Sequence, residues 1–122
     1  MATTTKPLMI LVAGPYRSGT DGDPARIAAN VEAMTAVALD LYRRGHLPVM
    51  GEWFALPLIE QAQRDGVGGD PFDEIFHPVA ERLLERCDAC LRIGGPSEGA
   101  DRMVATARRL GKAVYHEIGE VP

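Results

Sequence analysis

The sequence predicts an α/β fold, a three-layer sandwich around a parallel sheet of four to five strands, and three features carry that expectation. Short apolar runs without alternation, such as PLMILVA at residues 7–13, have strand length and suit strands covered on both faces. Between them lie segments whose apolar residues step by three and four, the spacing of helices that bury one stripe. Strands alternating with helices imply parallel pairing through right-handed crossovers. Polar, glycine-rich clusters follow the first three strands, and open parallel sheets place their ligands beyond those carboxyl ends.

The elements follow in order. PLMILVA reads as the first, central strand. Asp23-Pro24 starts a helix, an acceptor at the N-cap and then a ring that fixes a helical φ. Ile27, Val31, Met34, Ala38 and Leu41 form its apolar stripe, and Arg43-Arg44-Gly45 closes it with cations and a glycine. HLPVM reads as a second strand, placed at a sheet edge by Pro48, whose missing N–H does least harm there. FALPLIEQAQRDG reads as a short helix or turn and VGGDPFD as a loop. Phe72, Ile75, Val79, Leu83 and Leu84 mark an amphipathic helix running to Cys87. ACLRI is the third strand, GGPSEGA a loop, DRMVATARRLG a helix closed by Gly111, and AVYHEI a fourth strand.

The 122 residues fit a single domain spanning 1–122, with no repeat, linker or low-complexity segment. A formal net charge of -4 offers no basic footprint for a nucleic acid polymer or an anionic membrane, although a free nucleotide needs only a local cation. The apolar runs fall far short of the ~20 residues that span a bilayer, and MATTTKP has no apolar signal core, so a cytoplasmic protein is expected. Cys87 and Cys90 form a C-x-x-C, but with no second pair and an apolar strand starting between them they read as core.

Three clusters fall at one edge of the sheet: Gly14, Pro15, Tyr16, Arg17, Ser18 and Gly19; Gly51, Glu52 and Trp53; Gly94 to Gly99. In the first, glycines admit a close ligand, Arg17 offers a bidentate fork to a phosphate or carboxylate, and Ser18 adds a donor. In the third, Ser97 and the N–H groups of Gly99 and Ala100 stand at a helix N-terminus, a favourable place for an anion as well as a helix cap. Trp53 suits either a base-stacking wall or the core, and Glu52 suits contact with sugar hydroxyls or a role as acid, base or nucleophile. His46 and His116 read as structural, and His77 as a weak candidate for the site. Neither a Ser-His-Asp order nor H-E-x-x-H nor metal-ligand spacing appears, so no metal and no cofactor is expected.

Taken in order, ILVAGPYR, RRGHLPV, CDACLRI and PSEGADRMVATARRLGKAV resemble the nucleoside 2-deoxyribosyltransferase-like proteins, which include nucleoside 5′-monophosphate N-glycosidases. The likeness runs from Lys6 to Tyr115. It implies a flavodoxin-like sheet, a homo-oligomer of two or more chains, and cleavage of an N-glycosidic bond through a glycosyl-carboxylate. In the family's S-x-G-x-x-x-E pattern the nucleophile lies four residues after the glycine, and counting from Gly99 puts Met103 there. A thioether cannot attack or transfer a proton. A second family carboxylate falls near Ala80, flanked by His77 and Glu81. The G-G-x-G-T-x-x-E loop of the lysine-decarboxylase-like cytokinin phosphoribohydrolases also resembles GGPSEGADRM, and again meets Met at the acid.

What survives is a phosphate end built from Gly14, Tyr16, Arg17, Ser18, Gly19, Ser97 and Gly99, with Trp53 beside it. Glu52, Glu98 and Asp101 are the carboxylates near enough in sequence to replace the missing nucleophile. Two functions are therefore expected: an N-glycosidase or deoxyribosyltransferase acting on a nucleoside or nucleoside monophosphate, or a non-catalytic nucleotide-binding sensor.

Overall fold

The structure, a computed structural model, describes residues 6–66 and 69–122. The reading of MATTTKP up to Thr5, and of Val67 and Gly68 in the VGGDPFD loop, lies outside them. The order is β1 (Met9–Ala13), α1 (Pro24–Arg43), β2 (Leu47–Val49), α2 (Gly51–Asp65), α3 (Pro71–Arg86), β3 (Ala89–Arg92), α4 (Glu98–Arg109) and β4 (Ala113–Tyr115), then a 3₁₀ turn at Ile118–Glu120.

The four strands are parallel, in the order β2-β1-β3-β4. The sheet is the core of a flavodoxin-like three-layer sandwich. Alternate residues of the central strands feed two cores. Ile10 and Val12 with Ala89 and Leu91 pack against Met34, Ala38 and Leu41 of α1. Leu11, Ala13 and Cys90 pack against Ala80 and Leu84 of α3 and Met103 and Ala107 of α4. Because β1 and β3 are neighbours whose onward connections leave on opposite faces, the crevice beyond their carboxyl ends is where this fold opens.

Local chemistry explains the element ends. Asp23 caps α1 by accepting from the Ala25 N–H at 3.2 Å, with Pro24 in the first turn. β2 sits at the edge, as Pro48 requires. Four elements differ from the sequence reading. α3 begins at Pro71, because the Asp70 carboxylate accepts from the Phe72 N–H at 3.0 Å, so the last three residues of VGGDPFD are helical. α2 is a full 15-residue helix that runs through Pro57; Ala55 and Ile59 are buried, and that burial outweighs the ~3 kcal/mol of an internal proline. α4 starts at Glu98, three residues early, because Ser97 accepts from the Ala100 N–H at 3.1 Å. β4 stops at Tyr115, since the Glu120 carboxylate accepts from the His116 and Glu117 N–H groups at 2.6 and 3.1 Å and turns the chain.

His46 is structural: Nδ1 accepts from the Leu8 N–H and Nε2 lies 3.0 Å from the Pro122 carbonyl. Cys87 and Cys90 are free and buried, and burial pushes their thiols up to about 11 and about 12, so both stay protonated at neutral pH. Among the described residues no helix is long and apolar enough to cross a membrane.

Candidate functional site

The cavity at the β1/β3 crevice has three walls, each built by a different loop or helix. The first is the loop after β1. A Cβ on Gly14 would lie 3.1–3.2 Å from the Ile93 side chain and carbonyl and from Met34, so the end of β1 passes too close to β3 and α1 for a larger residue to fit without a shift. Beyond it the loop is pinned from behind. The buried Thr20 hydroxyl donates to the Arg17 carbonyl at 2.6 Å, and the Asn30 amide of α1 donates to the carbonyls of Tyr16 and Ser18 at 2.8 and 3.4 Å. With the carbonyls held, the side chains of Tyr16, Arg17 and Ser18 line the cavity.

The second wall is the N-terminus of α4, with Ser97, Gly99 and Ala100. The Ser97 oxygen caps the helix, and its own proton remains able to donate to a ligand. The positive macrodipole end and free N–H groups of α4 favour an anion here, opposite Arg17. Arg102 of α4 holds Glu81 of α3 at 2.9 Å and ties this wall to the next.

Helices α2 and α3 make the third wall. They cross where Gly51 meets Ala80: a Cβ on Gly51 would lie 3.0 Å from the Ala80 Cβ. The close crossing brings Glu52, one residue on, to the same cavity as His77, one turn before Ala80. Phe72 and Phe76 stack on each other at 4.6 Å between centroids and on Tyr16 at 6.0 and 5.3 Å, and the Arg17 guanidinium lies 3.7 Å over the Phe72 ring. This aromatic shelf holds the cation at the cavity wall.

The electrostatics are uneven. Glu52 is 5% exposed, and burial raises its carboxyl to about 7 against the opposing pull of its own backbone N–H. Burial lowers His77, helped by the Arg102 charge and opposed by Glu81 and Asp73. Burial also raises Tyr16, which Arg17 partly offsets. The cavity volume is about 130 Å³. That is below the ~300 Å³ of small whole-ligand sites, so it holds one end of a small ligand and leaves the remainder at the mouth.

Of the residues singled out in the sequence, Gly14, Tyr16, Arg17, Ser18, Glu52, Ser97 and Gly99 line this one cavity, with Met103 among the apolar residues between them. Four do not. Gly19 takes φ +72° in the turn behind the loop. Trp53 is 44% exposed, in a shallow groove with Tyr42, Leu47 and Pro48. Glu98 is exposed on the first turn of α4. Asp101 turns to a separate cleft and pairs with Arg92 at 3.1 Å. The sequence reading did not assign Phe72 and Phe76 to the site: it placed Phe72 in the apolar stripe of the helix and gave Phe76 no role, although two aromatics one turn apart ahead of a histidine exceed what one helix stripe needs. No family model and no curated protein matches the chain.

Proposed function

We propose that the cavity binds a nucleoside 5′-monophosphate and that Glu52 serves the cleavage of its N-glycosidic bond. The observation that carries this reading is the convergence of Arg17, Ser97 and Glu52 on one small cavity. Arg17, the Ser18 hydroxyl and the N-terminus of α4 supply a dianion with a fixed cation, hydroxyl donors and a helix dipole. Glu52 is the carboxylate among the residues lining the cavity, and the reading gives it the anomeric carbon, one sugar away from the phosphate. The order of motifs that resembles the nucleoside 2-deoxyribosyltransferase-like family supports the same substrate class, with the acid moved from the position of Met103 to α2.

Six exposed large apolar side chains support self-association as part of this reading: Leu39, Tyr42, Leu47, Trp53, Phe54 and Leu58, all on α1, β2 and α2. A second copy of the chain covering that face gives a homo-oligomer.

One observation favours the sensor instead: Met103 is buried beside the cavity where the family's nucleophile would stand. Calorimetric titration of matched nucleosides and 5′-monophosphates, followed by chromatography of the mixtures for free base, separates the two. Binding of the monophosphate with release of base supports the enzyme; binding of an intact monophosphate supports the sensor; binding of neither ends the nucleotide reading.

A further inference from the structure

His77, which is half-buried, is unlike the buried His46. Both nitrogens of His46 have backbone partners. Those of His77 have none among the described residues: its surroundings act on it through burial and through charges, not through hydrogen bonds. Yet the ring is held firmly. It meets Phe76 edge-on, at 5.5 Å and 84°. On its other side it presses on Gly99 so closely that a Cβ there would lie 2.9 Å from Cε1. The glycine thus makes room for the imidazole, whose Cε1 edge faces the first turn of α4. A fixed, half-buried imidazole lining a cavity that also holds Glu52 is an arrangement for moving protons.

Resting on the reading above, we propose that His77 is the second reacting group and that the pair cleaves the bond in a single displacement. His77 takes a proton from water as the water oxygen bonds to C1′. The C1′–N bond breaks with its electron pair going to the base, and the base nitrogen takes the carboxyl proton of Glu52. The products are the free base and the sugar phosphate. An imidazolium and a carboxylate remain, and proton transfer between them through solvent restores both. Atoms and charge balance with water as the only co-reactant.

The environments of the two groups suit these roles. Burial favours the protonated Glu52 needed by an acid and the neutral His77 needed by a base. The charges around His77 are Arg102 of α4 and Glu81 and Asp73 of its own helix, with Glu52 of α2 and Arg17 of the β1 loop lining the same cavity. Direct attack by water inverts the anomeric centre, whereas a glycosyl-carboxylate on Glu52 retains it.

The test uses the full chain, a panel of ribo- and deoxyribonucleoside 5′-monophosphates, and methanol as a second nucleophile, because methyl glycosides do not change anomer after release. The expected product from a β-nucleotide is the α-methyl glycoside 5-phosphate. His77→Gln is expected to lower kcat by about 10²- to 10⁴-fold, the range of a lost general base, with monophosphate affinity within about threefold of wild type. The acid limb of the wild-type pH profile is expected to vanish in that variant. Should His77→Gln fold poorly by circular dichroism, His77→Asn and the anomer formed by the wild type decide. A β-methyl product, or a His77 variant at wild-type rate, overturns this inference while leaving the N-glycosidase reading in place. A wild type that releases no base from any monophosphate overturns both.

Discussion

Glu52→Gln is predicted to stabilise the protein above pH 7 and to leave it unchanged near pH 4.5. The substitution keeps the size of a side chain that is 5% exposed and removes only its ability to ionise. In the folded protein the carboxyl titrates near 7 because burial penalises its anion, against an ordinary value of 4.5. A raised folded value means the native state holds the proton more tightly than the unfolded chain. The associated stability is therefore complete below about pH 4.5, declines by ~1.4 kcal/mol per pH unit, and is gone above about pH 7. Integrated over that window the wild type loses about 3 kcal/mol, less up to ~1 kcal/mol if the first turn of α2 stabilises the anion. The neutral amide of the variant loses nothing, and the other carboxylates titrate alike in both proteins, so the difference isolates this group. Urea unfolding at intervals from pH 4.5 to 8.5 measures it. With a slope of about 1–3 kcal/mol per molar, the midpoints should separate by at least ~0.7 M at the alkaline end. Parallel curves, or a glutamine variant that is less stable at pH 8, would refute the assignment of a buried carboxyl with a raised pKa to α2.

Arg17→Ala should weaken nucleoside monophosphate binding by about 1.5–3 kcal/mol, roughly 10- to 150-fold, and leave the nucleoside nearly unaffected; equal losses in calorimetry would show that Arg17 does not hold the phosphate. Gly99→Ala gains up to ~1 kcal/mol of helix propensity, but its Cβ would meet His77 Cε1 at 2.9 Å. Its melting temperature should move by a few degrees at most while base release falls at least tenfold, and an unaltered rate would show that the imidazole position is immaterial. Ser97→Ala removes both the α4 cap and a cavity donor, so it should cost ~1 kcal/mol in stability and also weaken the monophosphate; a loss of stability alone would make Ser97 only a cap. Sedimentation at micromolar concentration should give a dimer or larger, with Trp53→Asp or Leu58→Asp shifting it toward monomer, and a wild-type monomer would contradict self-association through α1, β2 and α2.

The sheet was legible because its signals are local. PLMILVA has no polar position to expose, so it belongs at the centre, and Pro48 sends its strand to the edge. The meeting of the first and third loops was legible for a topological reason: once β1 and β3 are neighbours, the residues after their carboxyl ends come together, which brings Arg17 and Ser97 to one cavity. Which carboxylate reaches that cavity was not legible to the same degree. Glu52, Glu98 and Asp101 are equivalent in sequence, and what separates them is the Gly51–Ala80 crossing, the exposure of the first α4 turn and the Arg92 guanidinium that claims Asp101. Trp53 has the composition of a stacking wall, but it follows Glu52 by one residue on a helix, about 100° around the axis, and so faces the groove beside β2. The aromatic wall of the cavity comes from Phe72 and Phe76, one turn apart on α3, and from Tyr16, which lies more than fifty residues earlier and joins them only through packing.

The central claim is that this cavity cleaves the N-glycosidic bond of a nucleoside 5′-monophosphate with Glu52. The most direct measurement is chromatographic quantification of free base from matched monophosphates and nucleosides incubated with the wild type and with Glu52→Gln. The account predicts base from at least one monophosphate, at least tenfold less from its nucleoside, and a loss of about 10²-fold or more in the glutamine variant. Equal release by wild type and variant, or monophosphates that bind and remain intact across the whole panel, would contradict it.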